Sequence, residues 1–283
     1  MKETSQKNRN IMSVLAVVIG LVLAYVVPFM AQTSLERVLV NLTAHIEDGF
    51  PAFTSGLTLF DIFFSAWRAV IFAAGAMLVA ISPAIKKGEE WSYPTAMALF
   101  ALPSIGGMFM FLPYVSWVPG FPLPMIISIF GLIGYWSFIF LRKGKAIQKW
   151  ARFGALTFLG MLITHAFTIG IGAQRTMATR PGKPMYPDMT WWWFRWAGEV
   201  NWVLVIPMFL AIIFLSTGQR KGWWLAVGSA IAILMIDVPT QFVRTSTWDY
   251  LNGSLLAIGV LIFTLVPFFK NEILDEEEVE ATA

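Results

Sequence analysis

Apolar residues in this chain come in long runs, and eight of the runs reach the length that a bilayer demands. A hydrocarbon core about 30 Å thick takes roughly 20 residues of helix, because a backbone amide in lipid can bond only within its own helix. The runs fall at about 11–30, 62–85, 93–112, 123–141, 153–173, 200–217, 223–241 and 252–269. From Trp91 to Leu141 there is no charged residue, which leaves room for two spans; Pro113, Pro119, Gly120 and Pro122 mark the turn between them. The pattern predicts an all-α integral membrane protein with eight transmembrane helices.

The segments between the runs carry their own signals. Residues 1–10 form a polar, basic tail, and the run at 11–30 reads as an uncleaved first span, since Phe29 stands where a cleavage site wants a small side chain. Thr33-Ser-Leu-Glu36 reads as a capping box that opens an amphipathic helix over 33–49, closed by Gly49. Leu35, Leu39, Leu42 and Ile46 fall on one face of it, as for a helix lying on the membrane surface or capping the bundle. The segment 174–198 reads as a long outer loop rich in Pro and Met. It holds Trp191-Trp192-Trp193-Phe194-Arg195-Trp196, either an aromatic belt at headgroup level or a lid over an outer cavity. Residues 270–283 form an acidic tail whose run from Asp275 to Glu280 reads as solvated chain without fixed structure.

Charge then orients the spans. The loop 142–152 holds Arg142, Lys143, Lys145, Lys149 and Arg152 and no acid. Short basic loops stay cytoplasmic because Lys and Arg resist translocation. With both termini inside, Lys2, Lys7, Arg9, Lys86, Lys87, these five, Arg220, Lys221 and Lys270 are cytoplasmic. Only Arg37, Arg175, Arg180, Lys183, Arg195 and Arg244 are outside, with Arg68 near the membrane edge. The expectation is an inner (plasma) membrane protein with N-terminus and C-terminus both cytoplasmic.

The same loop divides the chain into a first four-helix half, 11–141, and a second, 153–269. Gln6-Lys7-Asn8-Arg9 is echoed by Gln148-Lys149-Trp150-Ala151-Arg152, and Lys86-Lys87-Gly88 by Arg220-Lys221-Gly222. An even number of spans per half makes the expected 4+4 arrangement a parallel repeat. Glycines at Gly106-Gly107, at Gly131 and Gly134, and at Gly154 and Gly160 read as close helix contacts.

Composition narrows the chemistry. The chain is 57% hydrophobic and only 13% charged, a polytopic membrane composition, and its net charge of +3 is too dispersed for nucleic acid. With no cysteine there is no disulfide, thiolate metal site, iron–sulfur ligation or cysteine nucleophile. The sequence offers no metal-ligand motif. Its two histidines, one of them His45 in the outer amphipathic helix, give haem little support.

Ionisable and polar groups at membrane depth are costly, so they are the candidate ligand-binding residues: Asp237, His165, Arg68, Glu199, Asn201 and Gln241. His165 lies about 20 Å from the inner end of its span, and Asp237 at similar depth. Arg68 shares a helix face with Asp61, and Asp61 reads as a cap of the second span. Structural roles compete with each: Arg68 pairing with Asp237 or Glu199, His165 bonding a neighbouring helix. Asp237 precedes Pro239, whose missing amide frees a carbonyl and opens the helix locally. All these groups fall in the outer half of the bilayer, which predicts a polar pocket open to the outer side. No residue declares itself catalytic, and whether the chain is an enzyme stays open.

Three functions follow. The first is the quinone-interacting membrane subunit of a redox complex, with partner subunits that carry the redox centres. The four-plus-four layout is similar to that of the integral subunits of polysulfide-reductase-type complexes, a likeness of architecture carried by no shared motif. The second is a permease for a small organic or anionic solute, gated by spans three and seven, which Pro94, Pro103, Gly106-Gly107 and Pro239 would break. The third is a membrane enzyme acting on a lipid or isoprenoid, with Asp237 or Glu199 as acid or base.

Overall fold

A computed structural model describes residues 4–179 and 189–274. Every element in it is helical: α1 Gln6–Tyr25, α2 Val27–Glu47, a 3₁₀ turn Pro51–Phe53, α3 Thr54–Lys87, α4 Ser92–Trp117, α5 Leu123–Leu141, α6 Ala146–Ala178, α7 Met189–Ser216, α8 Arg220–Val243, α9 Asp249–Leu265 and α10 Pro267–Ile273. Among the described residues seven helices are long and apolar enough to cross a membrane. An eighth is α9 with α10, if that pair, bent by 74°, counts as one span. The chain is a multi-pass membrane protein by these criteria.

The helices overrun the hydrophobic runs, because a helix keeps its backbone bonds on leaving the hydrocarbon. The first span starts at Gln6, where Ser5 accepts from the Asn8 amide, and ends at Tyr25 instead of continuing to residue 30. Pro28 has no amide to continue the ladder, so the chain breaks at Val26 and restarts with Pro28 in the first turn of α2. The supposed capping box at 33–36 therefore lies mid-helix, and the Ser34 hydroxyl bonds back to the Met30 carbonyl at 2.7 Å. Gly49 does close α2, at φ 103°. The expected outer loop at 174–198 is mostly helix, the ends of α6 and α7; residues 180–188 and the acidic run 275–280 lie outside the described residues. More than half of the central basic loop, from Ala146 on, is likewise the start of α6. Asp61 caps nothing: it lies inside α3, exposed. Spans three and seven are not broken, since α4 runs through Pro103 and Pro113, and α8 through Pro239. The break falls instead at Val266-Pro267, in the last span.

The chain divides into two compact units, Met1–Lys149 and Trp150–Ala283. In the first, α1 crosses α3 where Gly20 and Gly75 face each other. A Cβ on Gly20 would lie 2.7 Å from the Gly75 carbonyl oxygen, and one on Gly75 2.5 Å from that of Gly20. Gly107 and Gly131 let α4 and α5 approach in the same way, and Ser128 donates to the Ser104 carbonyl at 2.9 Å. On α2 the face holding Ala31, Leu35, Val38 and Leu42 is buried, and its Arg37 donates to the Tyr114 hydroxyl at 3.0 Å. The polar start of α1 serves the ends of other helices. Asn8 donates to the Leu141 carbonyl at 2.8 Å and Arg9 to the Lys87 carbonyl at 2.8 Å.

In the second unit α6 packs on α9 through Gly154 against Phe263 and Gly259 against Phe158, and on α7 through Gly170 against Trp202. Gly160 makes no such contact: a Cβ there would meet nothing within 4 Å. The unit closes through Arg152, buried, which donates to the Ile273 carbonyl at 3.3 Å, and Trp223, which donates to the Thr264 carbonyl at 2.6 Å. In each unit, then, the polar start of the first helix reaches a carbonyl at the end of the last. The second echo is out of register: Gly88 ends α3 at φ 81°, but that role in the other unit belongs to Gly218, φ 82°, whereas Gly222 lies within α8.

Candidate functional site

The polar candidates of the second unit meet on three helices. Asp237 on α8 is fully buried, and so is Asn201 on α7. The Asn201 amide donates to Asp237 Oδ1 at 2.8 Å and to the Ala197 carbonyl at 3.0 Å. Asp237 Oδ2 and Asn201 Oδ1 have no hydrogen-bond partner among the described residues. From α6, His165 presents a buried Nε2 that also lacks one. Thr164 and Thr168, its helix neighbours, bond back to the carbonyls of Gly160 and Thr164 and leave the imidazole alone.

What brings the acid and the imidazole together is a glycine on α9. A Cβ built on Gly253 would overlap Asp237 Oδ2 and lie 2.7 Å from His165 Nε2. Both atoms therefore crowd the bare backbone of Gly253, where no side chain has room, and they lie no farther apart than the two contacts combined. They are still too far apart to bond each other, since no such hydrogen bond or ion pair forms. Buried polar atoms left without partners cost about 1–3 kcal/mol each, more when charged.

Tyr250 and Asp249 extend the site. Tyr250 is buried, its hydroxyl lacks a partner, and it lies within electrostatic reach of Asp237, Arg244 and Asp249. Asp249 lies beside His165. The Tyr250 ring packs edge-on against Phe194 with centroids 6.1 Å apart, in an apolar cluster with Ala173, Met177, Ala197 and Ile236. Arg244 lies over the Phe194 ring, its guanidinium 4.4 Å from the centroid. The tryptophan run forms the first turns of α7. Trp193 donates to Thr240 at 2.9 Å, one turn from Asp237, while Trp192 and Trp196 stack and stay exposed.

The remaining candidates sit elsewhere. Glu199 and Asn201, two residues apart on a helix, point to opposite sides. Glu199 is exposed and pairs with Arg195 at 2.8 Å. Gln241 spends its amide on the α8–α9 connection: it donates to the Arg244 and Thr247 carbonyls at 3.0 and 2.7 Å and accepts from the Leu251 amide at 2.8 Å. Arg68, in the first unit, donates to Gln32, which in turn donates to Glu36 at 2.8 Å. His45 stacks on Phe50 at 4.2 Å, a packing role at the end of α2. Sequence reasoning missed Tyr250 and Gly253. Tyr250 looks like an interfacial aromatic at the mouth of the last span, and a single glycine in an apolar run carries no signal of what faces it.

The described residues hold no cluster of His, Asp and Glu fit for a metal ion. Comparison with protein-family profiles, with curated proteins and with solved structures finds no match. The likeness to polysulfide-reductase-type subunits therefore rests on span number and layout alone.

Proposed function

We propose that this chain is a quinone-interacting membrane subunit that works with redox partner subunits, and that its second unit holds the quinone head between Asp237 and His165. One observation carries the proposal: two buried, unpartnered groups, each able to give or take a proton, converge at Gly253. An acid–imidazole pair sharing one proton can donate to a carbonyl oxygen or accept from a hydroxyl, so oxidised and reduced heads both fit. The surroundings are apolar and aromatic, as a ring with an isoprenoid tail requires. With no cysteine and two histidines in all, the chain would take its redox centres from the partner subunits. In the proposed orientation, in an inner (plasma) membrane with both termini cytoplasmic, the site lies toward the outer side.

The test is to purify the protein in mild detergent, extract its lipids for mass spectrometry, and titrate it with a short-tailed ubiquinone. The expected result is co-purifying quinone near one per chain, or saturable binding, weakened at least tenfold by Asp237→Asn. An extract without quinone, together with no saturable binding, would reject the proposal. The permease alternative expected breaks at Pro103 and Pro239, and α4 and α8 continue through both.

A further inference from the structure

Two sets of unpartnered polar atoms lie in the second unit. Asp237 Oδ2 and His165 Nε2 meet at Gly253. The Tyr250 hydroxyl and Arg244 Nε, also buried and unpartnered, belong to side chains that both pack against the Phe194 ring. The two sets differ in chemistry. Asp237 and His165 can each give up or take a proton. Arg244 stays charged and can only donate, and the Tyr250 hydroxyl donates readily to a carbonyl. The backbone around Arg244 is fixed, since Gln241 holds its carbonyl and its amide bonds to Thr240 at 2.8 Å.

From this we infer that the site recognises its ligand at two points: one oxygen held between Asp237 and His165, and a second, acceptor oxygen met by Tyr250 and Arg244. The inference rests on the quinone reading and narrows it. The ligand class becomes a ring with two oxygens on opposite edges, and a head with a single oxygen leaves Tyr250 and Arg244 unmet. The two ends also divide the work. Protons are exchanged at the Asp237–His165 end, while the Arg244–Tyr250 end holds the oxygen on which negative charge builds when an electron arrives before a proton.

The experiment compares two probes on the purified full chain: a para-benzoquinone with a decyl tail, and a para-decylphenol, which has one ring oxygen. The wild type is expected to bind the quinone about tenfold or more tighter, the value of one good hydrogen bond to a charged donor. Tyr250→Phe and Arg244→Gln should lower quinone affinity toward that of the phenol, by a larger factor than they lower phenol affinity. Asp237→Asn should weaken both probes. Unfolding midpoints of the variants, measured without ligand, show that the comparison is between folded proteins. Should the preference for the quinone survive in Tyr250→Phe and Arg244→Gln, or be missing in the wild type while the phenol binds, two-point recognition is wrong and the Asp237–His165 site stands. If neither probe binds the wild type, the quinone reading falls with it.

Discussion

Gly253 is the residue on which the site turns. Any side chain there must displace the Asp237 carboxyl or the imidazole of His165. Gly253→Ala is thus expected to lower ligand affinity at least tenfold while costing no more than about 1–3 kcal/mol of stability, as overpacking does. Gly160→Ala on α6, where a Cβ meets nothing, should leave both unchanged; isothermal titration and thermal unfolding in detergent check the pair. Gln241 behaves oppositely. Gln241→Ala removes three hydrogen bonds that fix residues 244–251, so its expected effect is a loss of about 1–3 kcal/mol in unfolding free energy. Asp237, Asn201 and His165 stood out in the sequence because polar groups in apolar runs are rare. Their meeting place did not, since it is made by a glycine and a tyrosine that are ordinary in such runs. Glu199 stood out equally and lies on the outside of α7, because hydropathy reports depth and not direction around the helix.

At the scale of the element, helix contacts are set by small residues. The crossing of α1 and α3 brings the backbones together at Gly20 and Gly75, where packing and not hydrophobicity supplies the attraction in lipid. Gly75→Val is expected to force the pair apart and cost about 1–3 kcal/mol, read as a lower unfolding midpoint. The apolar runs located the helices, among the described residues, that are long and apolar enough to cross a membrane. Their ends were legible only where a proline or glycine punctuates, as at Gly49, Gly88 and Gly120. The capping box at 33–36 misled because a Ser or Thr hydroxyl serves as well back-bonded inside a helix as at its start. Pro103, Pro113 and Pro239 misled in the other direction. Neighbouring helices can keep a proline-bearing span helical in a way no single segment reveals.

For the whole molecule, the division at Lys149 falls within the basic segment where charge had suggested it. The basic residues also have local work that a count of charges does not show. Arg9, Arg152 and Lys149 donate to carbonyls at or near helix C-termini, where the dipole favours a cation. Orientation can be tested directly, because the chain has no cysteine. Lys145→Cys is expected to react with an impermeant maleimide only from the cytoplasmic side, and Ser246→Cys, at an exposed position between α8 and α9, only from the outer side. The reverse pattern would overturn the topology.

The most direct measurement of the central claim is quinone bound per chain in the freshly purified protein, with Asp237→Asn and Gly253→Ala alongside. A value near one in the wild type, falling sharply in both variants while their unfolding midpoints hold, is the expected result. Equal quinone in all three proteins would place the ligand elsewhere, and none in any of them, even after titration, would contradict the claim outright.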